Sequence, residues 1–274
     1  MKYAVFIISH ERANRVETYS TLRSSGYAGI IHVFIDNEDT QKEAYLNRFG
    51  TELVIFNKQI HMMQTDTLEL DKRKASAVYA RNAVELYAKA RGYDVFIIMD
   101  DDITNLRYRW MEGNICKSMK VSRLDLIFKW YCEYLCSCDI ATLSFEHCMF
   151  YLGGITDEKV MNERWTYQIH IRNTRYPVDW IAVFNEDIIT EISTATRGYI
   201  WWSLPHIVFD NVAMNCESGG VKELYESISE YKRAFMATVA NPSSCKPGYS
   251  HGKLRIQQNK KASYPMIISG RWKK

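Results

Sequence analysis

Short apolar runs alternate with amphipathic segments along the first hundred residues. Tyr3–Ile8, Ile30–Ile35 and Val95–Met99 are apolar or nearly so and rich in β-branched side chains, which is typical of strands covered on both faces. Before the last of them, Ala75–Ala90 has apolar residues at helical spacing and is followed by Gly92. Strands that alternate with helices predict an α/β domain, a mostly parallel Rossmann-like sheet flanked by helices.

Polar side chains follow directly on the predicted strands. Ser9 follows the first strand, Asp36 ends the second, Lys58 comes just after a third at Leu53–Phe56, and three aspartates follow Val95–Met99. Parallel α/β sheets bind their ligands beyond the carboxyl ends of the strands. We therefore expect these side chains to converge on one edge of the sheet.

The second half of the chain has a less regular pattern. Leu124–Leu135, Glu186–Thr196 and Val221–Val239 are predicted helices, while Ile140–Phe145 and Trp165–Arg172 are predicted strands. We expect one domain over residues 1–240, with a first half at 1–102 and a second half at 103–240. Residues 241–274 would be a mobile basic segment of the same domain.

Composition excludes several classes of protein. The 274 residues are 47% hydrophobic and 24% charged, which is ordinary for a globular domain and unlike a disordered or collagen-like chain. No apolar run approaches the ~20 residues that span a bilayer, and Tyr3–Ile8 is too short for a signal peptide. Seven cysteines are an odd number, which favours free thiols. We expect a cytoplasmic protein without a membrane partner.

Charge is distributed unevenly along the chain. Residues 231–274 contain ten Lys and Arg and no Asp or Glu. Removing those ten from the 35 basic residues leaves 25 against 32 acidic ones, so the preceding part has a net charge of −7. A basic segment on an acidic body indicates contact with a polyanion, although a solubilising tail is the alternative.

Three consecutive aspartates, Asp100, Asp101 and Asp102, are the strongest chemical signal. Adjacent carboxylates repel, and a bound cation relieves that repulsion. In an extended segment Asp100 and Asp102 point to the same side and Asp101 to the other. Two carboxylates on one side suit Mg²⁺ or Mn²⁺, so we expect a metal site; a solvated acidic loop is the alternative.

These motifs together resemble a known enzyme family. Ser9-His-Glu-Arg12, Phe56-Asn-Lys58, Ala80-Arg-Asn82, the three aspartates and Asn185-Glu-Asp-Ile188 follow one another as in the GT-A glycosyltransferases. More narrowly, the chain resembles the TET/JBP-associated glycosyltransferases of phages and base J biosynthesis. The resemblance covers residues 1–102 most clearly and implies a GT-A fold with a nucleotide-sugar donor, most simply a UDP-sugar.

The resemblance also implies roles for single residues. Those that would contact the donor lie in the first half: Ser9, Arg12 and Asp36 at the base and ribose, Arg81 and Asp101 near the diphosphate or sugar, and Lys58 assisting with charge. For Arg81 the alternative is an exposed salt bridge, and for Lys58 a surface position at the sheet edge.

The remaining roles concern the metal and the acceptor. Asp100 and Asp102 would hold Mn²⁺ or Mg²⁺, with His251 as a further ligand. Asp187 is the expected general base and Glu186 the second choice, because both would open a helix across the acceptor pocket. The alternative for this pair is acids that stabilise a helix N-terminus.

Three functions follow from these expectations. The first is metal-dependent sugar transfer to a hydroxymethylated pyrimidine in phage DNA, which the basic segment would help to bind. The second is a GT-A enzyme acting on a protein or a polysaccharide. The third is a nucleotidyltransferase, although residues 9–14 lack the glycine-rich loop that this class usually has.

Overall fold

A computed structural model of the chain describes residues 1–68, 77–113, 115–147, 165–212, 229–250 and 252–263. Within these residues, strands and helices alternate from the start, as the sequence predicts. The strands are β1 Tyr3–Ile8, β2 Ile31–Asp36, β3 Leu53–Phe56, β4 Val95–Asp100, β5 Ile103–Glu112, β6 Ile115–Lys120, β7 Thr142–His147, β8 Ile169–Asn173, β9 Trp201–Asn211, β10 Cys245–Ser250 and β11 Lys253–Gln258. The α-helices are α1 Glu17–Ser24, α2 Lys42–Phe49, α3 Lys58–Gln64, α4 Ala77–Ala90, α5 Leu124–Ser137, α6 Glu186–Ala195 and α7 Glu230–Ala240.

Nine strands form one sheet in the order β3-β2-β1-β4-β8-β7-β9-β5-β6. The first four are parallel, whereas β8 is antiparallel to both β4 and β7. In the centre, Ile8 at the end of β1 lies opposite Phe34 of β2 and Asp100 of β4. The carboxyl ends of the parallel strands therefore meet at one edge, as expected.

The two faces of the sheet are both covered. Val5 and Ile7 face a core that includes residues of α1, α2 and α5, while Phe6 and Ile8 face a second core built with α4. All four side chains are at most 6% exposed. Burial of alternate residues on opposite faces explains why β1 is a continuous apolar run.

A third core lies beside the sheet. Phe184 and Ile188 pack there with Met236 of α7 and with Cys245 and Ile256 of the β10–β11 ribbon. The ribbon is a separate two-stranded antiparallel sheet. Part of the segment that we expected to be mobile thus forms strands, at Cys245–Ser250 and Lys253–Gln258.

Other expectations on the second half have mixed outcomes. Helices α5 and α6 match their predicted ranges closely, and the described part of Val221–Val239 is helical from Glu230. The β5–β6 hairpin was not predicted. The division at residues 102 and 240 stays a prediction. None of the described helices has the length and apolar character needed to cross a membrane.

Candidate active site

The three aspartates lie at the carboxyl end of β4, in a loop fixed by its backbone. Thr18 of α1 donates from its amide to Asp101 O (3.2 Å) and from Oγ1 to Asp100 O (2.6 Å). The same Oγ1 accepts from Ile103 N at 2.9 Å. Val212 N donates to Asp102 O at 3.0 Å. Each carbonyl of the loop is held, so the three side chains project in defined directions.

Asp100 points towards the buried Arg81 of α4. Arg81 Nη2 donates to Asp100 Oδ1 at 3.0 Å, and its Nε lies 3.4 Å from Glu186 Oε1. Its Nη1 lies 3.1 Å from Nδ1 of His170, and Trp180 lies 5.0 Å from the guanidinium. Arg81 therefore joins the aspartate loop to the start of α6. Its side chain is 2% exposed, so the surface salt bridge considered from the sequence is not what is found.

Asp101 points in another direction and is engaged on both oxygens. Ser9 Oγ donates to Asp101 Oδ2 at 2.5 Å, and Arg12 Nη1 donates to Oδ1 at 2.9 Å. Tyr45 OH lies 2.6 Å from Ser9 Oγ and accepts from Arg12 N. Ser9, Arg12 and Asp101, three of the residues expected at the donor, thus form one hydrogen-bonded group beneath the loop.

Asp102 has a buried oxygen without a partner. Its Oδ1 makes no hydrogen bond in the described part of the chain. Burial and the charges of Asp100 and Asp101 raise the pKa of Asp102 to about 7. A buried carboxylate oxygen aimed at no donor is a costly arrangement that a hard cation would relieve.

The side chains around Asp102 provide only part of a metal-binding site. Among the described residues no three His, Cys, Asp or Glu side chains are grouped closely enough to hold a metal ion. Asp100 is turned towards Arg81 and leaves Asp102 as the better placed ligand. His251 lies outside the described residues. The remaining ligands would come from a donor diphosphate or water, which is common for Mg²⁺.

Glu186 and Asp187 open α6 across from the aspartate loop. The preceding Asn185 has a φ of 54°, a left-handed conformation that side chains rarely adopt outside functional sites. Burial raises the pKa of Glu186 despite the nearby Arg81. Burial and the Glu186 charge raise the pKa of Asp187 to about 8. A carboxylate with so high a pKa is a stronger base than an ordinary aspartate.

Asp36 and Lys58 lie at the ends of β2 and β3, in a second polar group. Asp36 Oδ2 is 3.1 Å from His10 Nδ1, and Asp39 Oδ2 is 3.6 Å from it. Lys58 is buried and its Nζ lies 2.9 Å from Glu38 Oε2. Burial lowers the pKa of His10, but Asp36 and Asp39 outweigh that effect and raise it. Lys58 is thus held by an internal ion pair and is not a surface lysine.

Several residues of the site were not predicted from the sequence. His170 lies in the middle of β8, is fully buried and has a pKa well below its usual value, because burial and then Arg81 and Arg172 disfavour its charge. The neutral ring can accept from Arg81 at Nδ1. Thr18 and Tyr45 lie in helices and resemble ordinary core positions. A buried polar residue in an apolar strand was the available hint for His170.

Solved structures with a similar fold are glycosyltransferases. Glucosyl-3-phosphoglycerate synthase from Mycobacterium tuberculosis, solved with Mn²⁺, UDP and glucosyl-3-phosphoglycerate, has a TM-score of 0.50 at 10% identity over 94% of this chain and 86% of that one. Mannosyltransferase PcManGT from Pyrobaculum calidifontis, in complex with GDP-Man and Mn²⁺, has a TM-score of 0.47 at 13% identity over 78% and 58%. S. aureus TarS 1–349 with UDP has a TM-score of 0.45 at 11% identity over 88% and 65%. The fold is that of the GT-A glycosyltransferases.

The family follows from the sequence. Residues 3–220 match the TET-associated glycosyltransferase family. The chain belongs to that family, which confirms the resemblance. No curated protein sequence matches the chain significantly. The chain spans 58% of the length of the Pyrobaculum enzyme and 43% of TarS.

Proposed function

We propose that the protein transfers a sugar from a nucleotide sugar, most simply a UDP-sugar, to the hydroxyl of a hydroxymethylated pyrimidine in DNA. The observation that supports this most is the convergence of Asp100, Glu186 and Asp187 around Arg81, with Asp102 beside Asp100, at the carboxyl edge of the sheet. The family, with its TET-associated name, favours a modified DNA base as the acceptor.

The donor would bind along the ends of β1, β2 and β4. Ser9, Arg12 and Asp36 would contact the nucleoside, since they lie at the ends of β1 and β2. Arg81 and Asp101 would support the diphosphate side of the pocket through the hydrogen bonds that fix the aspartate loop. Lys58, paired with Glu38, would assist through charge at longer range.

Asp102, with Asp100 beside it, would hold Mn²⁺ or Mg²⁺. Such a cation supplies positive charge that stabilises a leaving diphosphate. The similar synthase solved with Mn²⁺ and UDP agrees with this assignment. His251 stays a candidate ligand.

Asp187 would accept the proton of the attacking hydroxyl. A bond forms between the acceptor oxygen and the anomeric carbon, the bond from that carbon to the diphosphate oxygen breaks, and the nucleoside diphosphate leaves with the electron pair. Glu186 is held near Arg81, so Asp187 is the freer carboxylate of the two. With a pKa of about 8, the ionised form of Asp187 that can act as the base is the minor form at pH 7 and becomes the main form above pH 8.

Mass spectrometry of defined oligonucleotides tests the proposal. Duplexes that contain 5-hydroxymethylcytosine or 5-hydroxymethyluracil are incubated with UDP- or GDP-sugars and Mn²⁺. We expect one sugar per hydroxymethyl base and none on a duplex with unmodified bases. Hydrolysis of the donor without transfer to either duplex would contradict the DNA acceptor and favour a protein or polysaccharide.

A further inference from the structure

The β10–β11 ribbon has one basic face. Directly paired residues of an antiparallel ribbon share a face, and neighbours along a strand alternate. The register therefore places Lys246, Lys253 and Arg255 on the same face. Gln257 is on that face too, and at Gly248 a Cβ would meet its side chain. The face carries three cations and one amide, and its sequence positions include no acid.

The opposite face anchors the ribbon to the domain. Cys245 is 2% exposed and packs with Ile256 against the third core, on α6 and α7. The three cations are exposed, as expected of the face turned away from that core. None of them has a carboxylate partner within the described residues, and residues 231–274 contain no acid. Their charge is therefore available to a partner.

The ribbon is connected to the active site through α7. Its open end lies at the end of α7, where Cys245 N donates to Asn241 O (2.9 Å) and Asn259 N donates to Ser244 O (2.8 Å). Both strands pack on α7. The first turns of α7 in turn contact the start of α6, where Asn185 Nδ2 donates to Arg233 O at 3.2 Å, one residue from Glu186.

The spacing of the three cations follows from strand geometry. Lys253 and Arg255 are two residues apart on one strand, and Lys246, paired with Gln257, is the next position along the same face. Successive cations are therefore about 7 Å apart.

We propose that this face binds the sugar-phosphate backbone of the nucleic-acid acceptor and positions the acceptor at Asp187. The proposal rests on the proposed function, because it identifies the surface that would hold the DNA. A strand of DNA has one phosphate per 3.4 Å of helix axis, so three cations spaced at about 7 Å can each meet a phosphate. A two-stranded ribbon is also narrow enough to enter the major groove.

Salt dependence of binding tests the proposal. The probe is an unmodified duplex, measured by fluorescence anisotropy between 50 and 200 mM NaCl. Log affinity falls as log salt rises, and we expect K246Q/K253Q/R255Q to make this slope less steep by about 2–3. Each phosphate contact that is lost removes about 0.9 from its magnitude. The control K89Q/R91Q/K129Q removes the same charge from α4, its following turn and α5, and should keep the wild-type slope.

The readouts separate this proposal from the proposed function. Donor hydrolysis without acceptor should be the same in wild type and both variants, because neither triple substitution removes a residue proposed to contact the donor or the metal. A wild-type slope in K246Q/K253Q/R255Q, or an equal loss in the control variant, would overturn the ribbon as the binding surface. A ribbon-dependent slope without any sugar transfer by the wild type would instead contradict the proposed function alone.

Discussion

At the scale of single residues, the orphaned oxygen of Asp102 has the clearest consequence. We expect Asp102→Asn to abolish Mn²⁺-dependent transfer and donor hydrolysis while the fold is kept, because the change removes a charge and breaks no core contact. Activity assays and Mn²⁺ titration calorimetry check this. Asp94→Asn at the opposite edge of the sheet is the matched control and should behave as wild type. Wild-type turnover in Asp102→Asn would exclude the metal assignment.

Asp187 gives a second prediction for catalysis. Asp187→Asn should lower turnover by about 10²–10⁴-fold, the usual contribution of a general base, and leave donor affinity nearly unchanged. Single-turnover kinetics and donor titration separate the two quantities. Glu186→Gln is the companion variant, and a larger loss there with normal turnover in Asp187→Asn would assign the base to Glu186.

The raised pKa of Asp187 also links stability to pH. In the folded protein this carboxyl stays protonated up to a pKa of about 8, whereas in the unfolded chain it ionises near 4. The contribution of this carboxyl to the free energy of unfolding is fully present below pH 4 and is lost as the pH rises to 8. Asp187→Asn should therefore melt above wild type at pH 9, and the difference should shrink towards pH 4. Melting curves at pH 4 and pH 9 measure this difference in melting temperature. The same difference at both pH values would contradict the raised pKa.

At the scale of elements, Arg81 links α4 to β4, β8 and α6. We expect Arg81→Met to lower the free energy of unfolding by about 3–5 kcal/mol, because Asp100 and Glu186 would be left without their buried partner. The loss should be smaller at pH 5, where both carboxyls can take up protons. Denaturant unfolding at pH 5 and pH 8 measures it. Arg81→Lys keeps the charge and should recover part of the loss, while equal losses at both pH values would contradict this account.

The elements also show what a sequence can predict. The strands that end at Ile8, Asp36 and Asp100 were predictable because both of their faces are buried. Hairpin β5–β6 was not, since β6 is exposed throughout and has no alternating pattern. Pro247 and Gly248 indicated a break, but a two-stranded ribbon leaves one side of each strand unpaired, so a proline is tolerated there.

The site itself was predictable only in part. Its acids could be named from their positions after strands and at the start of α6. The link from Asp100 through Arg81 to Glu186 could not be predicted, because Arg81 and Glu186 are 105 positions apart in the sequence. His170 and Thr18 support that link from a strand and a helix where their types are unremarkable. Tertiary contacts of this kind leave no local pattern.

At the scale of the whole molecule, donor binding should stabilise the fold. A ligand that binds only the folded state at 100 times its dissociation constant adds about 2.7 kcal/mol. In a domain of this size each kcal/mol raises Tm by about 2–4 °C, so UDP with Mn²⁺ should raise Tm by roughly 5–11 °C. Differential scanning fluorimetry with UDP, Mn²⁺ and both together measures the effect.

The variants then separate the two parts of the site. Asp102→Asn should lose the additional shift that Mn²⁺ gives with UDP, because Asp102 would be the main protein ligand of that cation. K246Q/K253Q/R255Q should keep the full shift, since these three side chains would contact the acceptor only. If the ribbon variant lost the donor shift and Asp102→Asn kept it, the donor would lie on the ribbon and not at the sheet edge. That outcome would reverse the assignment of donor and acceptor to the two halves of the molecule.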